Sequence, residues 1–289
     1  MSYLYHINHC NAYNPDDYIP FVVAGQTLGW IEKDFAVHLS RWKKLFQQQN
    51  KSITLNPDLI TAEQRTVAVA PVLETLHKEG VIDSWVGELY ALNQNYGEEP
   101  AFLMERAAVS FFGARAYGVH LNGLVEKTDG TYIWIARRAK DKPFWSGQLD
   151  QMVAGGQPAG IGRLENIIKE SDEEANIPES LASKAEFVSA LHYKGVSNAG
   201  KKRGLNVDTL FNYDLYLPED FIPENTDGEV DEFILMPLEE MARITETTDK
   251  FKDNCNLVNI DLLLRRGLID DSHPDYIEIC ERLYAPLPL

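Results

Sequence analysis

A glycine- and proline-rich loop, Gly155-Gly156-Gln157-Pro158-Ala159-Gly160, runs straight into a segment of helical periodicity. The expected helix spans about Ile161 to Ala175. Four of its five residues from Glu170 to Glu174 are acidic. At roughly 100° per residue, Leu164, Ile167, Ile168, Ser171 and Ala175 share one stripe, and Glu170, Glu173 and Glu174 share another about a third of a turn away. One face can therefore bury while the other presents three carboxylates from a single rigid element. Like charges at this spacing cost an isolated helix roughly a few tenths of a kcal/mol each. Their place near the helix C-terminus adds an unfavourable dipole contribution. A solvated acidic face is the plain structural alternative in a chain with 44 acidic residues. The strand–loop–helix setting favours a cation site instead.

The flanking sequence reads as mixed α and β. Arg115 to Val125 alternates as a strand, Lys127-Thr128-Asp129-Gly130 is a turn, and Thr131 to Ala136 returns as a second strand. A short strand is expected near Met152-Val153, and further strands at Asp208 to Tyr216 and Glu232 to Met236. Helices are expected from Pro237 to Ile244 and from Asn256 to Arg266, the latter stopped by Gly267. Upstream, Tyr18 to Ile31 reads as a hairpin broken at Ala24-Gly25-Gln26. Asp34 is placed as N-cap of a helix at 35–39. Thr61 caps a second helix to Lys78, with Val67, Val69, Val72, Leu73 and Leu76 near one side. Strands mixed with helices on both sides imply an α/β sandwich, with a domain boundary near 105–113.

At 289 residues and 44% hydrophobic, the chain can bury a sizeable core. No run approaches the roughly 18 apolar residues of a membrane span. Met1 to His6 lacks a secretory pattern. Cys10, Cys255 and Cys280 stand far apart, which suits reduced thiols and a cytoplasmic location. His6, His9 and Cys10 form a weak metal-site pattern, a surface segment being the alternative. A net charge of −17 disfavours nucleic acid as a partner.

The segment Gly155 to Ile177 resembles the box of the Nudix hydrolase family: a glycine, a spacer, a first glutamate, a second spacer, then R-E-U-x-E-E-x-G-U, U being aliphatic. Here the core is Lys169-Glu170-Ser171-Asp172-Glu173-Glu174-Ala175-Asn176-Ile177. The first box glutamate falls on Ile161, the arginine on Lys169, the aliphatic residue on Ser171 and the glycine on Asn176. Asn tolerates the left-handed helix end nearly as well as Gly. Lysine lacks the planar fork that holds a carboxylate. The resemblance extends to the subfamily related to, or fused with, thiamine pyrophosphokinase. It runs through Gly29-Trp30-Ile31, Glu105-Arg106-Ala107, Ala116 to Gly123, Trp134 to Arg138, Lys142-Pro143, Val153 to Gly156, Tyr213-Asp214-Leu215 and Asp227 to Val230. A Pro-Ala-Gly in place of the first box glutamate is common in that subfamily.

The resemblance implies an α/β fold: a Nudix α/β/α sandwich with a mixed sheet, preceded by a small α+β N-terminal domain. The expected divisions are 1–110, 111–250 for the Nudix domain, and 251–289 as a C-terminal helical segment. It implies Mg²⁺ or Mn²⁺ on Glu170, Glu173 and Glu174, with the Gly155 backbone close by, and Glu173 and Glu229 in catalysis. Hard carboxylate oxygens suit such ions. Glu229 in Thr226 to Glu232 is the candidate general base, with Glu232 behind it; an acidic turn is the alternative. Arg137, Arg138, Lys140 and Lys142 are candidates to grip phosphate. His120 is a candidate for contact with a substrate ring, a structural histidine being the commoner case. Tyr117, Trp134, Phe144 and Trp145 are aromatics near the expected site. The partner is a small-molecule diphosphate, with neither nucleic acid nor membrane; a homodimer is left open. Thiamine diphosphate or its oxidised derivatives, yielding the monophosphate, is the implied substrate. ADP-ribose or NADH, or an inactive ligand-binding module, are the alternatives.

Overall fold

Helix α1 (Tyr3–Cys10) opens the chain and packs against elements of its second half. In the computed structural model, residues 1–49, 51–142, 144–196 and 204–287 are described. Pro143, quoted above beside Lys142, lies outside them. Strands β1 (Tyr18–Val23) and β2 (Gln26–Glu32) pair antiparallel across Ala24-Gly25, both left-handed, as the hairpin reading expects. Next come α2 (Lys33–Leu39), β3 (Phe46–Gln49) and β4 (Ser52–Leu55), giving a four-stranded sheet ordered β2-β1-β4-β3. Helix α3 (Ala62–Lys78) is held at its start by a reciprocal cap between Thr61 and Gln64, a device typically worth about 1 kcal/mol. It buries Val69, Val72, Leu73 and Leu76, while Val67 is 67% exposed and lies outside the stripe. The α2 cap residue is Glu32 rather than Asp34, which sits in the first turn where its charge suits the helix dipole. Strands β5 (Leu89–Leu92) and β6 (Phe102–Glu105) form a separate hairpin, and a short 3₁₀ turn at Arg106–Phe112 leads out of this α+β unit.

The second half is built on β7 (Arg115–Lys127), β8 (Gly130–Arg138), β9 (Leu149–Gln151) and β10 (Val153–Gly156). Then follow α4 (Arg163–Ala175), α5 (Glu179–Ala182), β11 (Glu186–Val196), β12 (Leu205–Tyr216), β13 (Val230–Pro237), α6 (Leu238–Thr247), α7 (Asp253–Arg265) and α8 (Tyr276–Leu283). The sheet is mixed, ordered β11-β12-β7-β8-β13, with β7 and β12 parallel and the other pairs antiparallel. This half has the mixed-sheet α/β architecture that the resemblance implies.

Along one edge of β7, Gly123 to Lys127 pair with β8, while Gly118 to Leu121 pair with β10. Strand β9 does the same for the far end of β8. The two long strands thus part, and a glycine-bearing strand fills the gap. Val119, Leu121 and Val153 face α4 on one side. Leu124, Ile133 and Ile135 face α6 and α7 on the other, where α1 and α8 also lie. Each fully buried aliphatic side chain there contributes roughly 1.5–3 kcal/mol. Helix α4 starts at Arg163 rather than Ile161, because Gly160 is left-handed and Gly162 is the extended cap residue. Leu164, in its first turn, is 41% exposed and does not join the buried stripe.

Candidate active site

Strand β10 delivers Ala154, Gly155 and Gly156 to the flank of α4. The loop between them is pinned by side chains that satisfy its backbone: Asn166 donates to the Gly156 carbonyl at 2.8 Å and Gln157 to the Ile161 carbonyl at 2.7 Å. Glu165 accepts the Gly162 N–H at 3.3 Å. At the other end of α4, Asn176 adopts the left-handed conformation expected of the residue in the box glycine position.

The three glutamates separate. Glu174 is 8% exposed and accepts the Ala154 N–H at 2.9 Å. Its burial corrects the expectation of a wholly exposed acidic face: β10 covers that side of the helix. Burial pushes its carboxyl well above the ordinary range, and the nearby charges of Glu170, Asp150 and Glu229 push the same way. Glu170 lies against Gly155 so closely that a Cβ there would stand 2.3 Å from the Glu170 Cδ. Any side chain at Gly155 would push the Glu170 carboxylate out of this position. Burial raises the Glu170 pKa too, against the pull of Lys169. Glu173 points outward, 2.6 Å from Lys169 Nζ, which also reaches Glu170 at 3.3 Å. Two desolvated carboxylates side by side fit a hard divalent cation, which would relieve both the burial cost and their mutual repulsion.

Beside β10 opens a cavity of about 380 Å³, lined in part by Ala154, Arg138, Lys142, Lys252 and Glu229. Arg138 and Lys252 both meet the buried Asp150, at 3.1 and 3.3 Å. Lys142 meets Glu229 at 2.8 Å. Glu229 sits in a turn shaped by Asp227, which accepts its N–H at 2.8 Å, just before β13. Phe144 and Trp145 complete one wall.

Not every sequence candidate arrives here. Successive strand residues face opposite ways, so Arg137 turns from the cavity to Glu232 at 2.5 Å and the Gly147 carbonyl at 3.3 Å. Arg137, Lys140 and Glu232 line a separate surface depression. His120 corrects the ring-contact expectation: it is 3% exposed, bonded through Nδ1 to Gln151 at 3.0 Å, on the α7 side of the sheet. Burial pushes its pKa down to about 4, helped by Lys252. Trp134 is buried in the core on the α4 side. Tyr117 stacks with Phe211 and lines a neighbouring cavity. His6 and Cys10 are buried, His6 donating through Nε2 to the Thr245 carbonyl, 2.7 Å away. They form no metal cluster among the described residues; the one His/Cys/carboxylate group there is His120, Asp150 and Cys255. Three cavity residues, Tyr90, Asp208 and Lys252, are not singled out by the sequence as site residues, and Arg106 enters only as part of the family pattern.

A family described as a domain of unknown function (DUF4743) matches residues 2–116. Over 286 residues the chain is 39% identical to Nudix hydrolase 24, chloroplastic, of Arabidopsis thaliana, covering 98% of this chain and 77% of that protein. This chain belongs to the Nudix hydrolase family. Nudix hydrolase 20, chloroplastic, of the same plant is 40% identical over 288 residues, covering 96% of this chain and 76% of its own length. Among solved structures, the NUDIX domain of Shewanella oneidensis NrtR aligns with a TM-score of 0.41 at 10% identity, over 57% of this chain and 99% of that one. As a Nudix hydrolase the chain acts on diphosphate compounds, in a family that uses a divalent metal. The two plant relatives overturn the cytoplasmic expectation, since both are chloroplastic. No described helix is long and apolar enough to cross a membrane.

Proposed function

We propose that this Nudix hydrolase cleaves thiamine diphosphate, or an oxidised derivative of it, to the monophosphate, with Mg²⁺ or Mn²⁺ held by Glu170 and Glu174 and completed by Glu173. The observation that carries the reading is one cavity lined by Arg138, Lys142, Lys252 and Glu229 together with Ala154, the residue bonded to Glu174. Phosphoryl-type hydrolysis needs charge neutralisation, a positioned water and in-line approach. A divalent ion in this site would supply neutralisation and a more acidic bound water. Arg138 and Lys252, held by Asp150, grip and orient the diphosphate oxygens. Glu229 takes the proton of the attacking water, its turn fixed by Asp227. Glu173 reaches the ion only by releasing Lys169.

The choice of a thiamine-type group rests on the resemblance over both halves of the chain. The Phe144 and Trp145 rings beside the cavity give a cationic thiazolium an aromatic surface, an interaction worth about 0.5–2 kcal/mol. Side-by-side kcat/KM values decide it, using thiamine diphosphate, its oxidised forms, ADP-ribose, NADH and nucleoside triphosphates with Mg²⁺. A thiamine-type diphosphate is expected to lead. A tenfold or larger preference for ADP-ribose or NADH over every thiamine compound would remove the substrate assignment and leave the hydrolase.

A further inference from the structure

We propose that Arg106, contributed by the α+β unit rather than by the Nudix fold, is a phosphate-binding residue of this site. The proposal rests on the diphosphate-hydrolase reading but not on the thiamine group. Arg106 begins the 3₁₀ turn after β6, where its N–H donates to the Glu88 carbonyl at 2.9 Å and its Nη1 to the Glu88 carboxylate at 3.0 Å. From there the guanidinium crosses to β10. A Cβ on Gly156 would stand 3.3 Å from the Arg106 Cζ and 1.6 Å from the Tyr90 hydroxyl. Absence of a side chain at Gly156 therefore lets the two units close on each other over the metal-side strand.

The charge pattern says what the closure is for. The chain carries 44 acidic and 27 basic residues. The cavity wall reverses that balance, with Arg106, Arg138, Lys142 and Lys252 against Asp208 and Glu229. Such a wall recognises an anion. Glu88 occupies one end of the Arg106 fork, and no other carboxylate among the described residues is bonded to it. The side chain is 42% exposed, so a ligand reaches it. Its planar fork suits two phosphate oxygens at once. The guanidinium is cationic at any physiological pH. On β10 the Gly156 position that meets Arg106 faces away from the Gly155 position that meets Glu170, so the guanidinium enters from the cavity side of the strand, the side that also carries Ala154, and not from beside the helix glutamates.

The test is calorimetric binding of imidodiphosphate, a non-hydrolysable P–N–P compound, to the full chain with Mg²⁺, alongside thermal unfolding. R106A and R106Q are compared with the wild type; R106Q keeps a polar amide on a shorter side chain and removes both the charge and the planar fork. Both are expected to weaken imidodiphosphate at least tenfold with Tm retained, and to raise KM more than they lower kcat. Binding by a folded R106Q within twofold of the wild type overturns the role of Arg106 alone. Failure of both variants to fold assigns the residue to the contact between units and overturns it as well. If the wild type itself does not bind imidodiphosphate, the diphosphate reading falls and takes this proposal with it.

Discussion

The Glu174 carboxylate accepts the Ala154 backbone N–H at 2.9 Å, tying the acidic helix to the glycine strand. That bond fixes one candidate ligand before any ion arrives, and burial of the same carboxylate makes its charge costly. In Glu174→Gln the amide oxygen can still accept the Ala154 N–H, but a metal ligand charge is gone. Turnover is expected to fall by about two orders of magnitude or more. Stability of the metal-free protein should be unchanged or slightly higher, because a desolvated charge has been removed. kcat at saturating Mg²⁺ and Tm in EDTA check both halves. A kcat near wild type would remove Glu174 from the ligand set.

How much of this could be read along the chain depended on range. Helix α4, its left-handed end at Asn176 and the β7–β8 hairpin carry local signals, and they are where periodicity and turn chemistry placed them, within a residue or two. Strand β3, with the sequence Phe46-Gln47-Gln48-Gln49, has almost no apolar pattern and exists through its pairing with β4. Helix α1 gives no hint that it docks against elements more than two hundred residues later, as His6 does at Thr245. In the site, the box located Glu170, Glu173 and Glu174 on one helix but could not say that β10 would cover Glu174 and leave Glu173 outside. Arg137 and Arg138 look equivalent in sequence, and strand geometry separates them. Arg106 and Tyr90 come from another unit, so only the fold brings them to Gly156.

That contact makes Gly156 testable. In Gly156→Ala the new Cβ meets the Tyr90 hydroxyl, so Tyr90 or β10 must move. Overpacking of this kind costs roughly 1–3 kcal/mol, and activity should fall with it. Tyr90→Phe in the same background should recover part of the loss, a coupling that a double-mutant cycle in urea unfolding measures directly. Additive effects of the two substitutions would mean that the rings and strand do not press on each other.

His120 gives a pH signature separate from catalysis. Its folded pKa is pushed down from 6.5 to about 4 by burial. Below pH 6.5 the unfolded chain therefore binds a proton that the folded chain refuses. The stabilisation is complete above about 6.5 and is lost progressively as pH falls toward 4. Between pH 6.5 and 5 this amounts to about 2 kcal/mol. Unfolding free energies of His120→Gln should show a shallower slope over that window than the wild type, by about that amount. Equal slopes would show that His120 titrates normally.

Lys169 holds the place of a counterion between Glu170 and Glu173, 3.3 and 2.6 Å from their oxygens. The Glu173 pair is half-exposed, and such pairs contribute only about 0–1 kcal/mol. A divalent ion offering a stronger charge at the same carboxylates can displace it. Two substitutions then move the Mg²⁺ requirement in opposite directions. Glu173→Gln removes a rim ligand and should raise the Mg²⁺ concentration for half-maximal activity several-fold, with a smaller loss of kcat than Glu174→Gln. Lys169→Ala removes the competing cation and should lower that concentration, while exposing the repulsion between the two glutamates in EDTA as a drop in Tm. Mg²⁺ titrations of activity at fixed pH and ionic strength read both. An unchanged Mg²⁺ dependence in Glu173→Gln would exclude Glu173 as a ligand and leave the ion to Glu170 and Glu174.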